Sequence, residues 1–204
     1  VTASAPTLPT TMRGVVMHAA GDVRVEDRDV PHVIEPTDAV IKLEAACVCG
    51  SDLWRYRGIS PVEEARPMGH EYVGTVVEVG DDVTSVKVGD FVVGSFCISD
   101  NTCEICEDGF QSRCANGGFM GDTQAEYTRV PQADGTLVVV PGGKPDDPEI
   151  IASLLAASDV LGTGWFGAVA AQAGPGKTIA VVGDGAVGLS AVLAAKALGA
   201  EKVI

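Results

Sequence analysis

The pattern Asp100-x2-Cys103-x2-Cys106-x7-Cys114 constrains this chain more than any other stretch of it. The three cysteines surround Gly109 in a segment, residues 94–118, that has no helical or strand period to order it. This spacing lets three thiolates converge on one tetrahedral ion, and zinc is the usual occupant. A fourth ligand would close the shell. Asp100 stands three residues before Cys103, where a further cysteine is expected, and a carboxylate can also ligate zinc. Cys97 is the rival. A closed site of this kind holds a loop together and leaves no position for a reacting molecule.

Six cysteines in 204 residues also raise the possibility of a disulfide framework. The chain is too long to need such staples, and 46% of its residues are apolar. Its first ten residues have neither a basic n-region nor an apolar h-region, so no export signal is visible. Metal ligands or free thiols and a cytoplasmic location are therefore expected, with residues 1–11 as a disordered leader. The net charge of −14 argues against a nucleic-acid partner, which demands basic patches. No apolar run reaches the length of a membrane-spanning helix, so no membrane partner is expected either.

From residue 12 to about 140 the period is mostly that of strands. Residues 13–19 and 23–29 flank Gly21-Asp22, a hairpin signal. Further strands are predicted at 39–48, 72–79, 91–93, 125–130 and 136–140, with Gly and Asp turns between them. Many short strands of this kind predict a barrel-like β region. After the linker Pro141-Gly142-Gly143-Lys144-Pro145 the pattern changes. Helices are predicted at 148–155 and 164–173, then a strand at 178–182, a helix at 186–198 and a strand opening at 202. This is one βαβ unit, and alone it cannot cover both faces of a parallel sheet. The sequence is thus expected to be part of a longer protein.

Two further groups invite chemistry. Cys47 and Cys49 lie two apart and face one side of a strand, and either suits a buried thiol. Gly50-Ser51-Asp52 follows Cys49, so the strand gives way to a turn that exposes this last thiol and brings the Ser51 hydroxyl beside it. His70 heads a strand in Gly69-His70-Glu71, from which its ring can project into a cleft. Glu71 is either the partner that fixes its tautomer or an alternative ligand. Asp159, before Leu161-Gly162-Thr163-Gly164, reads by itself as an ordinary helix N-cap. Downstream, Gly183-Asp184-Gly185-Ala186-Val187-Gly188 sits between a predicted strand and helix, the context a dinucleotide fingerprint requires. The helix N-terminus would offer its N–H groups to a pyrophosphate, with Asp184 pointing away from it.

Taken together, Cys49-Gly50-Ser51-Asp52, Gly69-His70-Glu71, Val88-Gly89-Asp90, the cysteine lobe, Asp159 with Thr163-Gly164, and the glycine fingerprint resemble the zinc-dependent medium-chain dehydrogenase/reductase superfamily, in that family's order. The resemblance runs from residue 12 to 204. It implies a GroES-like β-barrel catalytic domain over 12–150, then an inter-domain helix and an incomplete Rossmann domain over 151–204, with the active site in the cleft between them. It implies a catalytic zinc on Cys49, His70 and Asp159, with Glu71 and Asp52 behind it, and a structural zinc in the lobe, two ions per chain. Ser51 would open a proton relay. NAD or NADP would lie against residues 183–188 and Thr163. The implied reaction is hydride transfer between a small alcohol or aldehyde and NAD(P), in a homodimer or homotetramer when full length. An NADPH-dependent aldehyde or ketone reductase, and a zinc-free quinone-reductase-like relative, are the alternatives. Trp54 stands where many members carry the next relay histidine, and Asp100 where most have cysteine. Trp54, Phe96 and Trp165 are candidates for an apolar substrate pocket.

Overall fold

A computed structural model of the chain describes residues 8–204. Most of the expected leader therefore lies outside the described residues, and its last residue, Thr11, already belongs to the first strand. The chain divides into two compact units, one reaching to Leu155 and one spanning Ala156–Ile204.

In the first unit the elements follow in order as β1 (Thr11–Ala19), β2 (Asp22–Asp29), β3 (Ala39–Ala46), α1 (Asp52–Tyr56), β4 (Arg66–Pro67), β5 (Tyr72–Val79) and β6 (Phe91–Gly94). Then come β7 (Cys97–Ile98), α2 (Glu104–Glu107), β8 (Gly118–Phe119), β9 (Tyr127–Val130), α3 (Ala133–Thr136), β10 (Leu137–Val139) and α4 (Pro148–Ala156). Five strands pair antiparallel in the order β10-β6-β5-β3-β9, and three more in the order β2-β1-β4. Among the described residues an isolated bridge, Gly14 to Ala125, links the two sheets. The strands were expected to close as a barrel; among the described residues they form these separate sheets instead. The reason is local. β1 spends its length on the β2 hairpin and the two residues of β4, and meets the segment before β9 only over Arg13–Val15, which bond to Gln124 and Glu126 on either side of the Gly14–Ala125 bridge.

The β-branched and aromatic residues of β5 lie mostly inside, as such residues favour. Ile41, Tyr72, Val76, Val92, Val130 and Leu137 form the heart of the larger sheet's core. Tyr72 is directly opposite Gly94, and its ring fills the space a Cβ there would occupy. At the sheet's margin the buried Asp38 carboxylate accepts from Arg129 at 2.6 Å and from the backbone N–H groups of Ile34 and Glu35. A buried carboxylate is tolerated only with such partners.

The second unit holds α5 (Val160–Ala170), β11 (Thr178–Ile179), α6 (Ala186–Ala197) and β12 (Lys202–Val203). β11 and β12 are parallel, as a strand–helix–strand unit requires. The strand predicted at 178–182 is much shorter than expected, and Val182 is fully exposed. Among the described residues β12 is the strand that pairs with β11, and beyond the ladder the Val181 N–H donates to the Ile204 carbonyl at 2.8 Å. α5 crosses α6 through small residues: Ala168, Ala194 and Ala195 are buried, and a Cβ on Gly164 would lie 2.6 Å from the Ala191 nitrogen. Among the described residues, no single helix is long and apolar enough to cross a membrane.

Candidate active site and metal-binding lobe

β3 ends at Ala46, and the chain turns through Cys47–Gly50 into α1. The turn is held by Asp52, whose Oδ2 accepts from the Cys49 N–H at 3.0 Å. Ser51 is the N-cap of α1, is exposed, and makes no side-chain capping bond. The second loop arrives from β4. Gly69 adopts φ +93°, a left-handed conformation that favours glycine, and turns the chain so that His70 enters just before β5. His70 is 18% exposed at its side chain and Glu71 only 2%, with His70 Nε2 at 3.8 Å from Glu71 Oε1. One ligand atom from each of Cys49, His70 and Glu71 lies within 4.8 Å of the others. Tetrahedral zinc with bonds of about 2.0–2.3 Å sets its ligand atoms roughly 3.3–3.8 Å apart. Small side-chain movements therefore bring these three to one ion.

Phe96 stands edge-on to His70, with ring centroids 6.2 Å apart, and stacks on Phe119 at 6.1 Å. Of the three aromatic residues expected to line an apolar pocket, Phe96 is thus beside the histidine. Trp54 on α1 is 58% exposed and Trp165 on α5 is 43% exposed. Phe119 was not singled out from the sequence; it borders the cysteine loop, and only the pairing of β7 with β8 brings it to Phe96.

The lobe is more closely determined. Ligand atoms of Asp100, Cys103, Cys106 and Cys114 all lie within 4.8 Å of one another. The Cys103 sulfur is 3.5 Å from that of Cys106 and 3.9 Å from that of Cys114. These are far beyond a disulfide's roughly 2.05 Å, and none of the six cysteines is joined in a disulfide. They match the roughly 3.8 Å separation of two thiolates on a tetrahedral zinc. Cys97 is outside this group: it is buried on β7, paired opposite Phe119. Asp100 is prepared for a charged role. A bond from the Asn116 amide at 2.7 Å, with the N–H groups of Thr102 and Cys103, holds its carboxyl well below the usual carboxylate range. A bond from the Ala115 N–H lowers the Cys103 thiol, whereas burial pushes the Cys106 thiol up to about 12. Binding of zinc would therefore displace a proton from Cys106. Cys106→Ser in the full-length protein is expected to release one zinc equivalent and open residues 94–118 to proteolysis. Unchanged zinc content would show that the segment is only a loop.

In the second unit, Asp159 is the residue before α5, and its Oδ1 accepts from the Thr163 hydroxyl at 2.7 Å. Gly183 has φ +118°, and the space for a Cβ on Gly188 is taken by the Gly183 carbonyl. Gly185 is the N-cap of α6, and a Cβ there would meet nothing within 4 Å, so the surface before the helix is open. Asp184 is exposed.

The family described as the alcohol dehydrogenase GroES-like domain matches residues 35–142, just over half of the chain. A medium chain reductase/dehydrogenase, ucsI, of an Acremonium species is 41% identical over 199 residues, covering 92% of this chain and 66% of that protein. Zinc-type alcohol dehydrogenase B of Aspergillus flavus is 39% identical over 193 residues, covering 89% of this chain and 44% of its own length. Among solved structures, the alcohol dehydrogenase TADH from Thermus sp. ATN1 superposes with a TM-score of 0.83 at 36% identity, over 95% of this chain and 57% of that one. The chain thus spans about half to two thirds of the length of these relatives. With its GroES-like domain and these zinc-type relatives, the chain belongs to the zinc-dependent medium-chain dehydrogenase/reductase superfamily.

Proposed function

We propose that the full-length protein is a zinc-dependent alcohol dehydrogenase that transfers hydride between a small alcohol and NAD(P). The observation that carries this reading is the gathering of Cys49, His70 and Glu71 beside the Phe96 ring. Cys49, His70 and Asp159 would hold the catalytic ion, and Asp100, Cys103, Cys106 and Cys114 a structural one. A zinc held by three protein ligands, with its fourth position open, would act as a Lewis acid on an alcohol or carbonyl oxygen.

The chain's own residues supply the rest. Ser51 Oγ, exposed at the head of α1, accepts the alcohol proton and passes it to solvent. Trp54 cannot extend that relay, because an indole N–H donates only. Glu71, buried beside His70, holds the imidazole's orientation. Phe96 and Phe119 offer an apolar wall that favours a carbon substituent over water. The βαβ unit is the opening of a Rossmann domain, and the N–H groups at the start of α6 would take the cofactor's pyrophosphate.

Two measurements on the full-length protein test the proposal. Zinc analysis should give about two equivalents, and a panel of short alcohols should support NAD+ or NADP+ reduction. Gly185→Val should weaken cofactor binding by at least about tenfold, on the order of 1.4 kcal/mol. Both zinc ions should remain, since the substitution puts a branched side chain where phosphate must approach backbone. Wild-type cofactor affinity in that variant would remove the cofactor assignment, and an absence of zinc would return the chain to a quinone-reductase-like role.

A further inference from the structure

We propose that Gln124 is a positioning residue that fixes the distance between the Cys49 and His70 loops and so governs how firmly that site keeps its metal. The inference rests on the assignment of Cys49 and His70 as ligands. Gln124 lies on neither loop. It belongs to the segment between β8 and β9, 77 residues from Cys47.

Its backbone is anchored on both sides. The Gln124 N–H donates to the Met68 carbonyl at 2.9 Å, and the Gln124 carbonyl accepts from the Val15 N–H of β1 at 2.8 Å. Its side chain then crosses to the other loop. Nε2 donates to the Cys47 carbonyl at 3.1 Å and to Asp52 Oδ2 at 3.3 Å. That same Asp52 oxygen accepts from the Cys49 N–H at 3.0 Å. Packing adds to the bonds: a Cβ on Gly69 would lie 2.6 Å from Gln124 Cγ, so the side chain lies flat against the residue preceding His70. One amide thus touches the carbonyl two residues before Cys49, the carboxylate holding Cys49, and the glycine that turns His70 inward.

The chemistry of the position calls for an amide. Both acceptors face Nε2, and a primary amide has two N–H donors. Methionine has a similar length and would still cover Gly69, but it would remove the amide's bonds to the Cys47 carbonyl and to Asp52. Glutamate would set a second carboxylate against Asp52. Groups that hold a ligand without touching the ion typically change metal affinity by about 10–100-fold when removed.

The test uses the full-length zinc-loaded protein and a chelator with a colour change on zinc. Release should be biphasic, and the phase missing in Cys49→Ser belongs to the Cys49–His70 site. In Gln124→Met that phase should accelerate by at least about tenfold, while the phase from the cysteine lobe keeps its wild-type rate. A merely structural role would accelerate both phases together, and that result overturns the proposal, as does a wild-type rate in both. Should Gln124→Met fail to fold, Gln124→Asn provides the same readout, because it keeps the amide but withdraws it by one methylene. Acceleration of the one phase supports the proposal and a wild-type rate overturns it. A wild-type protein with no phase sensitive to Cys49→Ser would instead refute the ligand assignment beneath it.

Discussion

Gly94→Ala is expected to be among the most destabilising single-methyl additions this chain can receive. Gly94 is flanked on both sides, by Tyr72 of β5 and Leu137 of β10, so its backbone cannot drift outward. The new methyl would fall within the Tyr72 ring. Tyr72 is completely buried in the core of the larger sheet and has no free direction in which to turn. Overpacking of a closed core costs on the order of 1–3 kcal/mol and occasionally more, and this case combines a central strand with an immovable ring. Against a total stability of roughly 5–15 kcal/mol, the melting temperature should fall by several degrees or more. The effect should reach the site, since Tyr72 follows His70 and Glu71 directly. A companion change isolates the cause. Combined with Tyr72→Val, Gly94→Ala should cost much less than in the parent, the positive coupling expected of residues in contact. Equal unfolding midpoints for Gly94→Ala and wild type would show that the sheet yields more easily than its packing implies. The Tyr72 hydroxyl is buried without a hydrogen-bond partner among the described residues, and burial pushes its pKa far up. Tyr72→Phe should accordingly be neutral or mildly stabilising.

Period and turn chemistry were legible where the structure is repetitive. Tyr72–Val79 reads as a strand because valines recur along it, and the Gly21 turn, at φ +75°, is the kind only glycine adopts freely. The gathering of Asp100, Cys103, Cys106 and Cys114 was legible because these residues are close in sequence. Short elements were not. α1, α2 and α3 have only four or five residues each, too few to show a helical period, and they exist because loops before and after them are held. The two-residue strands β4, β7 and β8 are defined by their partners rather than by their own residues. The same holds for the site. Gln124 carries no motif, and its contacts with Cys47, Asp52 and Gly69 arise only when three distant segments meet. The excess length predicted for β11 has another origin: Val181 and Val182 carry strand propensity, but among the described residues the ladder with β12 covers only Thr178 and Ile179, and beyond it the Val181 N–H donates to the Ile204 carbonyl.

On the proposed function, Asp159→Ala in the full-length protein should abolish turnover and lower zinc from the proposed two equivalents toward one with the fold retained. The retained fold follows from local structure. Asp159 precedes α5, but its side chain makes no capping bond there; its Oδ1 accepts from the Thr163 hydroxyl. Loss of a cap would otherwise cost about 1 kcal/mol. The lost turnover follows from the proposed chemistry. An ion left with two protein ligands is held weakly, and Lewis-acid stabilisation worth several kcal/mol disappears with it, a rate effect beyond about a thousandfold. The rival third ligand is Glu71, whose carboxylate is already within 4.8 Å of the Cys49 and His70 ligand atoms. The two assignments predict opposite patterns. If Asp159 is the ligand, Glu71→Gln keeps most of its zinc and loses affinity only through a loosened His70, by about 10–100-fold. If Glu71 is the ligand, Glu71→Gln loses the ion outright, and Asp159→Ala retains two equivalents and full activity. Measuring zinc and turnover in both variants side by side therefore decides which carboxylate closes the triad, with the cysteine-lobe ion as the internal standard in each.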